Sequence, residues 1–356
     1  MTRKVLIHVE DPGAANWILP LLSALEARGV AVDLVAEGTA VDYLRTRGVT
    51  NFASQPSGRT DFVLVGTAEN LASHALSLID TARTRGVPCA AVVDQAANAE
   101  HRFRGTTEDP LRHFPDWLFL PDSATAERFA ALGAARERCI IVGNPHHDRV
   151  VAIGQAFERE GRAAMRRRLF PQVPERQPIA VFVSEVGYIV NPETEIWQAA
   201  NGFAGRGATR YRSAVILEEV LDACRTLVQR PYMALRLHPK NSPDEFVAYA
   251  KELDTVSEGG DPLALVYVAD LVIGMTSALL EEAAILGRPT LAVLPRVEER
   301  TWLAMVADGR IPSVVSREQL RGALPALLGG GEAHIRPASA GAADRIAEFI
   351  VSTLPR

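Results

Sequence analysis

Ala269 to Leu294 reads ADLVIGMTSALLEEAAILGRPTLAVL, and four elements follow one another in it without a gap. Leu271, Val272 and Ile273 form a short apolar run ending at Gly274, the pattern of a strand covered on both faces in a parallel sheet. Thr276 and Ser277 then offer hydroxyl N-caps to Ala278 through Leu286, a run of good helix formers closed by Gly287. A second apolar run, Thr290 to Leu294, follows. A strand that feeds a helix and returns to a strand is the repeating unit of an α/β fold.

The N-terminus of such a helix presents unpaired N–H groups and about half a positive charge. Two hydroxyls and a glycine placed there make a cradle for phosphate, formed by Gly274, Met275, Thr276, Ser277 and Ala278. Glu282 stands about a turn and a half further on, where a carboxylate can accept from the two hydroxyls of a ribose. The plainer alternative is that Thr276 and Ser277 only cap the helix and that Glu282 faces solvent.

The chain has 356 residues, and at roughly 150 residues per domain this length predicts two domains. Hydrophobic residues make up 47% and charged residues 23%, enough apolar material to fill two cores. A net charge of −5 leaves no electrostatic footprint for nucleic acid. Arg166, Arg167 and Arg168 read as a solvated helix face. No basic-then-apolar leader opens the chain and no apolar run reaches the ~20 residues of a membrane span, so a cytoplasmic protein is expected. Cys89, Cys139 and Cys224 lie far apart in apolar segments and are expected as reduced core thiols. Serine elbows, Walker-type loops and zinc spacings such as C-x-x-C or H-E-x-x-H are missing from the sequence, and no metal is expected.

From the N-terminus the apolar pattern predicts strands over 4–9, 30–36, 62–65, 89–94, 117–120 and 139–142, with helices over 16–28, 40–47, 72–85 and 124–132 between them. A charged helical segment over 149–168 and prolines at 171, 174 and 178 then read as a linker. A second alternation follows, with strands over 179–183, 233–237, 271–273, 290–294 and 312–315 and helices over 211–227, 246–253, 278–286, 299–307 and 319–328. A glycine triplet, Gly329 to Gly331, breaks the chain before a last helix over 342–354. The expected fold class is α/β with two Rossmann-like, doubly wound parallel-sheet domains, residues 1–170 and 171–339, and a terminal helix in 340–356.

Open α/β sheets bind ligands beyond the carboxyl ends of their strands, so the loops that follow strands are the places for chemistry. Glu10 and Asp11 end the first strand in the turn with Pro12 and Gly13 and are candidates for a general base; capping of the next helix is the competing role. Asp94 ends its own strand and is the next candidate. Gly143-Asn144-Pro145-His146-His147-Asp148 is read as a structural turn rather than a metal site, with Asn144 near the acceptor. His238, fixed by Pro239 and followed by Lys240, is placed to donate to a phosphate oxygen beside the cradle if the two strands are neighbours. The loop over 184–209, with Glu185, Asn191 and Trp197, has the length of an acceptor contact or lid.

Three groups of residues carry a resemblance: Val142-Gly143-Asn144-Pro145 with Asp148, Leu237-His238-Pro239, and Ala269 to Gly274 continued by Glu281-Glu282-Ala283 and Leu286-Gly287-Arg288-Pro289. With them the chain resembles, over almost its full length, the GT-B-fold glycosyltransferase superfamily, which includes UDP-N-acetylglucosamine 2-epimerases, lipid-A-disaccharide synthase and CDP-glycerol glycerophosphotransferases. The resemblance implies that the C-terminal domain holds the nucleotide, with diphosphate at the helix N-terminus and ribose on Glu282, and that the final helix returns to the N-terminal domain. The 2-epimerase pattern has Ser-Gly-Gly where Thr276-Ser277-Ala278 stand here, and the hydroxyl pair is closer to phosphotransferases and to His-Pro sialyltransferases, so the base is expected to be uracil or cytosine.

The resulting expectation is a metal-independent glycosyltransferase that needs no cofactor. It takes a UDP or CDP/CMP sugar as donor, presents it across a cleft to an acceptor, and is compatible with homo-oligomers. Asp11 or Glu10 would act as base, and His238 would stabilise the leaving diphosphate. The rival expectations are a nucleotide-sugar hydrolase or hydrolysing 2-epimerase, a CDP-alcohol phosphotransferase, and a nucleotide-sugar binder without chemistry.

Overall fold

The computed structural model describes residues 3–68, 70–94, 96, 98–185, 202–207, 209, 211–329 and 341–354. The chain divides into two compact units, Met1–Arg149 with Pro337–Arg356, and Val150–Arg336.

The first unit is built on β1 (Lys4–Val9), β2 (Ala31–Ala36), β3 (Phe62–Gly66), β4 (Cys89–Val92), β5 (Trp117–Leu120) and β6 (Cys139–Ile141). They form one parallel sheet in the order β2-β1-β3-β4-β5-β6. The connecting helices are α1 (Pro12–Glu26), α2 (Ala40–Thr46), α3 (His74–Arg85) and α4 (Ser123–Ala131). They cover both faces. Val5, Ile7 and Val9 pack with Trp17, Ile18 and Leu21 on one side, while Leu6 packs with Leu76 and Ile79 on the other. Successive strand residues face opposite ways, so one uninterrupted apolar run fills two cores.

Helix α5 (Pro145–Glu160) spans the division between the units. The sequence reads 149–168 as one helical segment, but Gly161 at φ 87° separates α5 from α6 (Arg162–Leu169). That backbone conformation is comfortable only for glycine, and it ends the first helix.

The second unit contains α6, β7 (Ile179–Val183), α7 (Arg212–Arg225), β8 (Tyr232–Arg236), β9 (Thr255–Ser257), α8 (Pro262–Val268), β10 (Leu271–Gly274), α9 (Ala278–Ile285), β11 (Thr290–Val293), α10 (Ala304–Ala307), β12 (Ser313–Val314) and α11 (Arg317–Gly329). Its sheet is also parallel throughout, in the order β12-β11-β10-β7-β8-β9. The expected helix over 246–253 is instead a 3-10 segment, Pro243–Tyr249, fixed by a capping box between Ser242 and Glu245. The expected 299–307 helix splits into a 3-10 turn, Val297–Thr301, and the one-turn α10. Arg166 is not a solvated residue: with Arg162 it pairs with Asp270, at 2.8 and 2.6 Å, and Asp270 also accepts the Ile179 N–H. Arg167 and Arg168 do face solvent.

The last helix, α12 (Ala342–Thr353), packs on the first unit. Its Phe349 ring lies 5.2 Å from Trp117 and 5.3 Å from Phe119, both edge-on. Asp148 caps it, accepting the N–H groups of Gly341 at 2.9 Å and Ala342 at 2.8 Å. Asn144 accepts the His146 N–H at 3.0 Å and so turns the chain into α5. The 143–148 segment is thus a structural turn. Cys89 and Cys224 are buried free thiols and Cys139 is a half-buried one. Among the described residues no helix is long and apolar enough to cross a membrane.

Candidate functional site

In each sheet the strand order reverses once. The chain steps from β1 to β2 on one side and then to β3 on the other, and likewise from β7 to β8 and later back to β10. At such a switch point the two flanking loops diverge and leave a crevice at the carboxyl ends of the strands. Each unit places a cluster of polar groups there.

In the second unit the cluster is the turn between β10 and α9. Gly274 ends the strand, and the Met275 side chain is fully buried in the core, so only its backbone can meet a ligand. Ser277 caps α9, its Oγ accepting the Leu279 N–H at 3.3 Å, and Ala278 is the exposed first helical residue. Thr276 does something the sequence did not predict. The carboxylate of Glu185, just beyond β7, accepts the N–H groups of Met275 and Thr276 and, at 2.8 Å, the Thr276 hydroxyl. An anion therefore already sits on the donors expected to cradle phosphate. Glu185 belongs with this cluster, and Arg212 stands 4.0 Å from it while paired with the buried Glu299. Burial holds the Glu299 carboxyl above its ordinary range, against the Arg212 and Arg296 charges that pull it down.

His238 lies on the same rim, but β8 and β10 are not neighbours, because β7 runs between them. The link is Ser184, fully buried, whose Oγ accepts the His238 N–H at 3.0 Å and lies 2.8 Å from Asn241 Oδ1. The imidazole Nδ1 of His238 accepts the Lys240 N–H at 3.2 Å, which leaves Nε2 as the protonated, donating nitrogen. Burial and the Lys240 charge lower its pKa, against the pull of Glu185, so at neutral pH the ring is an uncharged donor. Pro239 and Lys240 are exposed. Glu282 is 9% exposed on α9, and its neighbour Glu281 turns inward to accept the Met305 N–H at 2.8 Å. Of the 184–209 loop, Asn191 and Trp197 lie outside the described residues, as do Gly330 and Gly331 of the glycine triplet.

In the first unit the turn expected over 10–15 is the start of α1. Asp11 is its N-cap, accepting the Ala14 N–H at 2.8 Å, with Pro12 in the first turn. Asp94, two residues past β4, comes to the same helix end. A Cβ added to Gly13 would stand 2.3 Å from Asp94 Oδ2 and 3.4 Å from Asp11 Oδ1, so the glycine is what admits the second carboxylate. Burial, and next the Asp94 charge, push the Asp11 carboxyl up to about 6, against the Ala14 hydrogen bond and the Arg102 charge. Arg102 is 4% exposed, pairs with Asp94 Oδ1 at 3.2 Å and donates to Thr67 Oγ1 at 3.1 Å. Arg102 lies between the strands expected over 89–94 and 117–120, where no reading of the sequence singles it out.

Glu10 points elsewhere: its two carboxylate oxygens accept from Asn70 Nδ2 at 2.5 Å and Ser73 Oγ at 2.6 Å, tying the end of β1 to the start of α3. Thus Asp11, Gly13 and Asp94 come together, while Glu10 and Asn144 fasten neighbouring elements.

No family model matches the sequence, and no curated protein matches it. Solved structures do match by fold. A UDP-GlcNAc 2-epimerase of Methanocaldococcus jannaschii, in complex with UDP-GlcNAc and UDP, aligns with a TM-score of 0.68 at 16% identity, covering 98% of this chain and 99% of that one. A UDP-GlcNAc 2-epimerase from Neisseria meningitidis bound to UDP-GlcNAc aligns at 0.66 and 14% identity, over 98% and 100% of the two chains. A wall teichoic acid polymerase aligns at 0.53 and 13% identity, over 99% and 88%. The chain shares the fold of these structures, with a parallel, helix-covered sheet in each of its two units.

Proposed function

We propose that the protein is a glycosyltransferase that uses a nucleotide-activated sugar, binding the nucleotide at the β10–α9 turn and using the Asp11–Asp94 pair for proton transfer. The observation that carries the reading is the paired carboxylate at the first switch point. Two carboxyl groups held together by Gly13, one of them raised to about 6, supply a base poised near physiological pH. A capping aspartate with no further role would not need a second carboxylate forced against it.

In the proposed step the acceptor hydroxyl loses its proton to Asp11 as its oxygen bonds to the anomeric carbon. The anomeric C–O bond to the diphosphate breaks, and the electron pair leaves with the phosphate. The N–H groups that open α9 and the Nε2–H of His238 are the donors suited to that growing charge, with Lys240 adding a positive charge. Glu185 occupies the Met275 and Thr276 N–H groups of the turn just before α9, so binding requires its carboxylate to give up Thr276; the Arg212 guanidinium is at hand to receive it. Glu282 takes the ribose hydroxyls in this reading, and uracil or cytosine is the base.

A hydrolysing 2-epimerase is the second reading, favoured by the fold matches to UDP-GlcNAc 2-epimerases. The same carboxylate pair would then move a proton at the sugar C2 rather than at an acceptor. The two are separated by incubating the protein with UDP- and CDP/CMP-sugars in the absence of an acceptor. Release of free epimerised sugar supports the second reading. Turnover only after an acceptor alcohol is added supports the first. A lack of turnover with every donor, with and without acceptors, overturns both.

A further inference from the structure

A second cluster in the first unit is used by neither reading. His8 lies on β1, paired in register with Val35 of β2 and Val65 of β3, and shares the sheet face of Leu6 that α3 covers. It is fully buried, and neither of its ring nitrogens has a hydrogen-bond partner among the described residues. Glu37, the first residue after β2, brings Oε2 to 3.7 Å from His8 Nε2. Its Oε1 lies 2.9 Å from Nδ1 of His74, the first residue of α3. The two imidazoles stand edge to face, 5.4 Å apart. One donor atom from each of the three residues lies within 4.8 Å of the other two.

We propose that His8, Glu37 and His74 hold a divalent transition-metal ion of the zinc class. Two imidazole nitrogens and one carboxylate oxygen are a donor set suited to zinc and its first-row neighbours, and three protein ligands leave a fourth position for water or another oxygen ligand. Tetrahedral bonds of about 2.0–2.1 Å put ligand atoms about 3.4 Å apart, so the present spacing closes onto an ion by small side-chain movements. A buried imidazole with no hydrogen-bond partner is costly in a folded protein, and an ion at Nε2 gives it one. On binding, Glu37 exchanges its hydrogen bond to His74 Nδ1 for a bond to the ion. The Nδ1 proton goes to solvent or to Nε2, which can reach water because the His74 side chain is 30% exposed. Glu10 acts as a positioning residue here, because its hydrogen bond to Ser73 fixes the start of α3 and with it His74. The proposed site departs from the expectation that no metal is held, because His8 sits inside a strand and its partners come from two other connections, which a sequence lacking metal-ligand spacing does not reveal.

The test is calorimetric titration of the chelator-stripped full-length protein with Zn²⁺ and, separately, Co²⁺. One equivalent should bind, and the Co²⁺ form should show ligand-field absorption of a four-coordinate site. Glu37→Gln and His74→Gln, both partly exposed positions, should weaken that site by more than the roughly 10–100-fold that follows loss of an outer-shell partner. His113→Gln breaks a similar imidazole–carboxylate contact, to Asp80 at 2.8 Å, that has no third ligand among the described residues, and should leave binding unchanged. Zn²⁺ should raise the melting temperature of wild type and of His113→Gln but not of the two ligand variants. Wild-type affinity in Glu37→Gln or His74→Gln, or no stoichiometric uptake by the wild type, overturns the proposal.

Discussion

Glu185 and Thr276, 91 residues apart, are joined at the point where the second sheet reverses its strand order: one carboxylate takes both the backbone N–H and the hydroxyl of the threonine. A resident anion at a helix start shows that the turn suits negative charge, and it also sets a competitor against any phosphate that binds there. Glu185→Gln keeps the shape and removes the charge. Its affinity for UDP or CDP should rise by about tenfold, roughly 1.4 kcal/mol. Weaker binding in the variant, measured by calorimetry, would mean that Glu185 serves to hold the turn in shape for the nucleotide.

Asp11 gives a pH signature. Its carboxyl is raised from an ordinary 3.8 to about 6, so between those values the folded state holds more protons than the unfolded one. Stability from this group is therefore greatest at low pH, declines as pH rises from about 4 to about 6, and stays low above. The full shift corresponds to on the order of 3 kcal/mol. Asp11→Asn retains a good N-cap without the charge. The stability difference, variant minus wild type, should be near zero at pH 4, grow to a plateau above pH 6, and favour the variant. A flat difference across that range would remove the claim that Asp11 is strained by burial and by Asp94.

The same group should mark activity. As a base, Asp11 must be ionised, so kcat/KM should fall on the acid side with a midpoint near 6. Asp11→Asn should lower turnover by ~10²–10⁴-fold while leaving the affinity for nucleotide alone unchanged, since the nucleotide is assigned to the other unit. A large loss in Glu10→Gln with little change in Asp11→Asn would move the role to Glu10.

Gly13→Ala tests the pairing itself. The added methyl meets Asp94 Oδ2 at 2.3 Å, so the Asp94 carboxylate must retreat. With that charge withdrawn, the acid limb of the residual activity should move to lower pH and turnover should fall, with the helix still formed. An unchanged profile would mean that Asp94 does not act on Asp11.

These relationships separate what the sequence carried from what it did not. The strands at Lys4–Val9, Ile179–Val183 and Leu271–Gly274 were legible because buried parallel strands need unbroken apolar runs. The three-residue β9, Thr255–Ser257, was not, since a run that short has no period to read. Residues in the loops that follow strands, such as Asp11, Asp94 and His238, could be picked out because that is where open sheets bind ligands. Their partners could not. Arg102 on Asp94, Arg166 on Asp270 and Glu185 on Thr276 depend on which strands lie side by side, and local spacing holds no record of that. His8 was hidden for the same reason: it sits inside a strand, and its neighbours Glu37 and His74 come from two other connections.

The nucleotide site is the claim on which the rest depends, and titration calorimetry with UDP, CDP and CMP on the wild type and on His238→Ala measures it. The account predicts one pyrimidine-nucleotide site per chain, weakened roughly ten- to a hundredfold in the folded variant by loss of the Nε2–H hydrogen bond to phosphate. It also predicts stabilisation of the wild type by ~2.7 kcal/mol at 100 times the dissociation constant. Absence of binding by every nucleotide tested, or equal affinity in wild type and His238→Ala, would contradict it.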